Sequence, residues 1–270
     1  MSAPVHVSIE NGVAIVTLNR PERHNALDRE SFEAIIAAGE RLAADLSVRA
    51  VILNGAGESF CAGIDRSFFK EEARKGGGAV DADLMQPRGT SPANFFQSAA
   101  MIWRRIPVPV IAAIHGVAYG AGLQIALGAD IRIAAPHSRL SIMEIRWGII
   151  PDMAISVTLR HILAPDRIKL LAFTGKVIDG AEARRLGLVS DVSEQPLASA
   201  RHLAEEISGL SPDAMRAIKQ LINFSLEESP DRALRREADL QLSLIGTPNQ
   251  REAVMANLHK REPRYRDPQI

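Results

Sequence analysis

The sequence holds a single cysteine, Cys61, in 270 residues, which excludes an intrachain disulfide framework and fits a reducing compartment. Net charge is absent too: 32 Lys and Arg offset 32 Asp and Glu. No electrostatic footprint for nucleic acid or an anionic membrane is therefore expected. Nor is there a run fit to cross a bilayer. The longest apolar stretch, from Ile106 to Tyr119, is short and contains two prolines and a histidine. The start, Met1-Ser2-Ala3-Pro4-Val5-His6, lacks the basic-then-apolar layout of a secretory signal, so a cytoplasmic protein is expected. There is no G-x-S-x-G elbow, no internal repeat, and no metal-ligand spacing among His, Cys and the carboxylates. Gly120-Ala121-Gly122 resembles the start of a dinucleotide fingerprint, but Ile125 stands where the third glycine belongs, which argues against a Rossmann oxidoreductase.

What is present is an ordinary globular composition, 46% hydrophobic and 24% charged, long enough to bury a substantial core. Val5–Glu10 and Val13–Leu18 alternate around Asn11-Gly12, a hairpin signal. Asp28 caps a helical pattern reaching about Leu46, with Phe32, Ile35, Ile36 and Leu42 on its apolar stripe. Strands follow at 50–54 and 110–115, then a helix from Ala121, a strand at Ile131–Ala134 and an extended piece around Leu140–Ile142. Strands mixed with helices predict an α/β core over 1–196. From 197 to 270 the strand signal disappears, and Leu197–Leu210, Pro212–Leu226, Asp231–Leu244 and Pro248–Leu258 read as amphipathic helices. The stretch from Gly76 to Pro92 has little to pack and reads as a cover over a site or as disorder. Phe68, Phe69, Phe95, Phe96 and Trp103 near it either line an apolar pocket or pack helices.

Two turns of small residues carry the chemistry: Cys61-Ala62-Gly63-Ile64-Asp65 and Gly120-Ala121-Gly122, each after a buried β-branched run. Small side chains there either make tight loops or let a ligand approach bare N–H groups. Two such donors aimed at one oxygen would form an oxyanion hole. Further on, Ser141 to Asp152 places two carboxylates in an apolar stretch, where burial among Ile and Trp would raise a carboxyl pKa toward neutrality. Glu144 is then either a proton carrier or the partner of Arg146 or Arg139. Asp152 is either a second proton carrier or the N-cap of a helical pattern at Met153–Leu163. His115 and Cys61 read as packed residues.

Together these residues resemble the crotonase superfamily, the enoyl-CoA hydratase/isomerase family. The resemblance runs in order through Asn19-Arg20-Pro21, Asn25-Ala26-Leu27, Phe60 to Asp65, Pro109 to Gly116, Gly120-Ala121-Gly122 and Ala129-Asp130-Ile131-Arg132. It continues through Glu144, Gly148 and Pro151, Ala181-Glu182-Ala183, Gly187-Leu188-Val189 and the tail Lys260 to Tyr265. It implies a spiral of ββα units followed by a helical region that assembles trimers, alone or paired as hexamers. It also implies an acyl-CoA thioester as substrate and no separate cofactor. By position, the backbone N–H groups of Ile64 and Ala121 would hold the thioester oxygen, aided by the dipole of the helix from Ala121. Asn25, Ala26, Ala62, Gly63 and Asp65 would line the CoA path, and Lys260 would reach CoA phosphates.

Hydration in this family uses two glutamates, and here the first position is Gln124, an amide that cannot carry a proton. Dienoyl-CoA isomerases of the superfamily have an aspartate eight residues after the second glutamate, the spacing from Glu144 to Asp152. The expected activity is therefore double-bond isomerisation, with Glu144 and Asp152 as the proton-transfer pair and Gln124 positioning substrate or orienting water. A one-base isomerase using Glu144, a weakened hydratase, and a CoA-binding assembly protein without chemistry are the alternatives.

Overall fold

The computed structural model of the chain describes residues 3–67, 82–89 and 91–268. Strands β1 (Val5–Glu10) and β2 (Val13–Leu18) form the antiparallel hairpin, with Val5 opposite Leu18 and Glu10 opposite Val13. Asn11 and Gly12 both take positive φ, 49° and 78°, as a two-residue hairpin turn of the right twist requires. β2 runs parallel to β3 (Ala50–Gly55), and the sheet continues, still parallel, through β4 (Val110–Ile114), β6 (Ile131–Ala134) and β9 (Asp191–Val192). A smaller sheet joins β5 (Val117–Tyr119), β7 (Arg139–Ser141) and β8 (Ile178–Asp179).

The larger sheet is buried on both faces, which is why its central strands read as continuous apolar runs. On β2, Ala14, Val16 and Leu18 enter the core that takes up the apolar stripes of helices α1 (Arg29–Ala44) and α2 (Phe95–Arg105). Val13 and Ile15 point the other way, with Ile52, Ile111 and Ile133, onto Ala200 and Ala204. Those two alanines belong to α7 (Pro196–Ser208), so the first helix of the C-terminal region lies across the second face of the sheet. Between α2 and α7 come α3 (Ala121–Leu127), α4 (Ile155–Thr158), α5 (Pro165–Thr174) and α6 (Gly180–Leu186).

Asp28 does cap α1, its carboxylate accepting from the Ser31 N–H at 2.9 Å. Helix α2 was not legible as a helix, although Asn94 and Gln97 form a reciprocal capping box at its start. Phe95 and Phe96 pack against Phe32, with ring centroids 5.7 and 5.2 Å away, and Trp103 is fully buried. Phe95 and Phe96 therefore hold α1 to α2, and Trp103 packs in the core; Phe68 and Phe69 lie outside the described residues. Of the expected cover from Gly76 to Pro92, residues 76–81 and 90 are likewise outside them, and the remainder contains a short 3-10 turn at Ala82–Met85.

The C-terminal helices α8 (Pro212–Ser225), α9 (Pro230–Leu244) and α10 (Pro248–Leu258) each begin with proline, whose fixed φ suits the first helical position. Lys219 fastens α8 to the sheet. Its buried ammonium donates to Asp130 at 2.7 Å and to the carbonyls of Val108 and Trp103 at 3.0 and 3.1 Å. Among the described residues no helix is long and apolar enough to cross a membrane.

Candidate active site

The two small-residue turns meet. Cys61 bridges to Ala118 on β5: its N–H donates to the Val117 carbonyl at 2.9 Å, and its own carbonyl accepts the Tyr119 N–H at 3.0 Å. Gly63 has φ +94°, and a Cβ there would stand 2.8 Å from the Tyr119 oxygen and 3.8 Å from the Ala121 nitrogen. Only glycine allows both that conformation and that approach.

Ile64 forms a parallel bridge with Leu27, through Leu27 N–H to the Gly63 carbonyl and Asp65 N–H to the Leu27 carbonyl, each 2.8 Å. In a parallel bridge the flanking residues make both bonds, so the N–H of Ile64 itself points away from Leu27. Ala121 opens α3, and the first N–H groups of a helix have no partner within it. Among the described residues neither amide donates to another group. Both residues line one cavity of about 700 Å³.

Glu144 lies in that wall, 7% exposed, on a 3-10 turn (Glu144–Trp147) that follows β7. Its carboxyl sits against Gly120, where a Cβ would come within 3.1 Å of Oε1. It pairs with neither arginine: Arg139 donates to the Tyr119 hydroxyl and Arg146 to the Gly175 carbonyl. Instead Glu144 Oε1 accepts from the side-chain amide of Gln124 at 2.6 Å, and Oε2 is buried with no partner. Burial raises the Glu144 pKa and the charge of Asp152 adds to the rise, against hydrogen bonds from its own backbone N–H, Gln124 and the Met143 backbone. The expected source of that burial is corrected here. Ile145, Trp147, Ile149 and Ile150 are exposed, so it is the packing under Gly120 and Gln124 that removes Glu144 from water.

Asp152 is not a helix cap. The expected helix at Met153–Leu163 contracts to α4, whose N-cap is Ala154 at φ 65° with no side-chain bond. Asp152 is partly buried, its pKa raised by desolvation, and its charge acts on Glu144, but it is not in the described cavity wall. Gln124 is likewise outside the wall, 1% exposed, with its amide oxygen accepting the Met153 N–H at 2.9 Å. A side chain so engaged does not orient substrate or water; it holds protein.

The residues expected along the CoA path divide. Ala26, Ala62, Gly63 and Asp65 line the cavity. Asn25 does not: its side chain accepts from Arg20 N–H and donates to the carbonyls of Ala56 and Ser59, tying three loop segments together. Burial would raise the Asp65 pKa, but two bonds from Ser67 and the guanidinium groups of Arg23 and Arg20 hold it below the usual range. That carboxylate anchors its loop. Lys260 follows α10 at φ 50° and is not in the described wall. Cys61 is a packed residue: its buried thiol donates to the Asn25 carbonyl, and burial pushes its pKa up to about 12. His115 meets the Gly57 carbonyl at 3.0 Å. Unforeseen in the wall are Arg23 and Arg66, cations suited to an anionic ligand, and Met143, Trp147 and Ile149, which supply apolar surface. A regular alternation would have flagged the last three, but they are spread over a 3-10 turn and the residues on either side of it, which have none.

Two unengaged amides on residues of one cavity wall, with Glu144 there as the carboxyl free of ion pairs, are parts that can stabilise an oxyanion beside a proton carrier. Residues 8–268 match the family profile described as enoyl-CoA hydratase/isomerase, and the chain belongs to that family, as an enzyme of the crotonase superfamily. It is 34% identical over 263 residues to the short-chain-enoyl-CoA hydratase of Clostridium acetobutylicum, covering 94% of each chain. It is 32% identical over 259 residues to the 1,2-epoxyphenylacetyl-CoA isomerase of Escherichia coli K12, covering 95% of this chain and 96% of the relative. The crystal structure of an enoyl-CoA hydratase from Bacillus anthracis superposes with a TM-score of 0.88 at 29% identity, over 98% of this chain and 100% of the other.

Proposed function

We propose that the enzyme moves a carbon–carbon double bond of an acyl-CoA thioester, with the N–H groups of Ile64 and Ala121 holding the enolate oxygen and Glu144 carrying the proton. The observation that supports this most is Glu144, the carboxyl of the described wall that no cation holds, since Arg20 and Arg23 pair with Asp65, on a wall shared with the two unengaged amides. Glu144 removes a proton from the carbon next to the thioester carbonyl, and the electron pair passes to the oxygen. The pair then returns as the same proton is delivered two carbons further along, so the double bond shifts and nothing is gained or lost. A carboxyl with a raised pKa suits both halves of that transfer. Hydration would ask one group to activate water while another protonates carbon, and Gln124 offers neither. Asp152 acts through its charge on Glu144 in this reading, not as the second carrier.

The test is a spectrophotometric panel of 2-enoyl-, 3-enoyl- and dienoyl-CoA thioesters, with Glu144→Gln alongside. Isomerisation that Glu144→Gln abolishes is the expected result. Faster loss of 2-enoyl conjugation with formation of a hydroxyacyl product would make the enzyme a hydratase. The reading extends to assembly: Ile218, Ile222, Leu234 and Leu242 on α8 and α9 are exposed. A homotrimer or its paired hexamer would cover such residues, and sedimentation as a monomer would refute it.

A further inference from the structure

We propose that Gln124 is a positioning residue that directs the proton of Glu144 to one oxygen and ties that carboxyl to the segment carrying Asp152. The inference takes its kinetic consequence from the proton transfer proposed above, but its geometry stands without it. The Met153 N–H is a donor and nothing else, so the Gln124 atom 2.9 Å from it must be the amide oxygen. The amide nitrogen is thereby turned toward Glu144 Oε1, which lies 2.6 Å away and must accept. An oxygen committed as acceptor cannot also carry a proton toward that donor. The bond from Gln124 makes Oε1 the less basic oxygen, so proton uptake goes preferentially to Oε2, the buried oxygen without a partner. The same amide joins α3 to the residue after Asp152, so one side chain fixes the separation of the two acids.

A glutamate introduced by Gln124→Glu can imitate this pattern only while protonated: its carbonyl oxygen accepts from Met153 and its O–H donates to Glu144. Once ionised it opposes Glu144 at hydrogen-bond distance, a like-charge pair that shares one proton. The neutral side-chain amide of Gln124 on α3 and the Met143 backbone before the 3-10 turn act on Glu144, and Asp152, on the segment before α4, is the charged group whose field reaches it among the described residues.

Gln124→Glu and Gln124→Met are compared with the wild-type enzyme in two ways. The first is kcat and KM from pH 5 to 9 on whichever thioester the wild type converts. The second is the carboxyl titration of Glu144 without substrate, by isotope-edited infrared difference against the matching Glu144→Gln background. For Gln124→Glu the expected outcome is a new alkaline limb. Activity near the acid end should lie within about tenfold of wild type and fall about 100-fold above the second pKa of the pair, with KM changed less than about threefold. Gln124→Met should lower kcat without a new limb and move the Glu144 titration upward. An unaltered pH profile in Gln124→Glu, or an unaltered Glu144 titration in both variants, overturns the inference. If the wild type converts no thioester but the titrations move as stated, the proposed function fails and the positioning role stands. A protonated glutamate is nearly isosteric with glutamine, so the acid-side measurements on Gln124→Glu remain readable even if Gln124→Met does not fold.

Discussion

Gly122→Ala tests whether backbone placement, and not side-chain chemistry, sets the rate. A Cβ built on Gly122 would stand 2.5 Å from the Cys61 carbonyl oxygen, 2.7 Å from its Cβ and 2.8 Å from its Sγ. The carbonyl cannot yield easily, because it accepts the Tyr119 N–H and the Cys61 N–H is bonded to Val117. Helix α3 must therefore retreat by about 1 Å to regain an ordinary separation of about 3.5 Å. That motion carries the Ala121 N–H away from the Ile64 N–H. A misplacement of about 1 Å costs on the order of 100-fold, and losing a donor outright costs about 100- to 1,000-fold in kcat. Steady-state kinetics on the best thioester should show kcat reduced at least about 100-fold with a smaller change in KM, while overpacking lowers stability by about 1–3 kcal/mol in urea unfolding. The double substitution Cys61→Gly with Gly122→Ala removes the side-chain contacts and leaves the carbonyl, so it should not restore the rate. A single variant with more than half the wild-type kcat, or rescue by Cys61→Gly, would refute this reasoning.

The buried acid predicts two pH effects. Asp152→Asn removes the charge that helps raise the Glu144 pKa, so the acid limb of kcat/KM should move to lower pH while kcat on the plateau changes little; a collapse of kcat instead would make Asp152 a proton carrier. Because the folded-state pKa of Glu144 is raised, its contribution to stability is present below the unfolded carboxylate pKa and is lost as pH rises through the folded value. Glu144→Gln should therefore raise the melting temperature near pH 8, with the gain vanishing near pH 4 in calorimetry, even as activity is lost. Lys219→Met leaves Asp130 and two buried carbonyls without their donor and should destabilise by about 3 kcal/mol in urea unfolding. Asp28→Ala removes the α1 cap and should cost about 1 kcal/mol in the same assay.

The Asp28 prediction concerns a part of the fold that was legible, because there a local rule and the tertiary structure agree, whereas the partners of Lys219 lie 89 to 116 residues away and no local rule announces them. The Asn11-Gly12 turn dictates its hairpin, Asp28 its helix start, and the β-branched runs at 50–55 and 110–114 their strands. The small-residue turns and Glu144 were legible in the candidate site for a related reason: Gly63 and Gly122 are demanded by contacts that any larger residue would break. What escaped depends on partners distant in sequence. Gln124 is bound by Glu144, 20 residues away, and by Met153, 29 residues away, and no spacing rule announces either. Asp152 looked like a cap because Pro151 and an apolar pattern followed the usual signal, yet Ala154 takes the left-handed conformation and restarts the chain two residues later. Asn25 lies in the right loop but spends its amide on that loop's own backbone.

Several unfavourable features gather around Glu144, and that gathering supports the proposed location of the chemistry. Glu144 Oε2 is buried without a partner, two acids are held above their ordinary pKa, and the Ile64 and Ala121 amides donate to nothing among the described residues. Each costs folding free energy that a better-satisfied sequence would recover. The surrounding frame supplies the compensation: a parallel sheet buried on both faces, and Lys219 fastening α8 to it. On the proposed function, an enolate oxygen would satisfy both amides at once and a proton in transit would satisfy Oε2. The same groups that weaken the empty protein are thus the ones whose interactions strengthen as charge develops in the transition state, which is the condition for raising kcat instead of merely tightening binding.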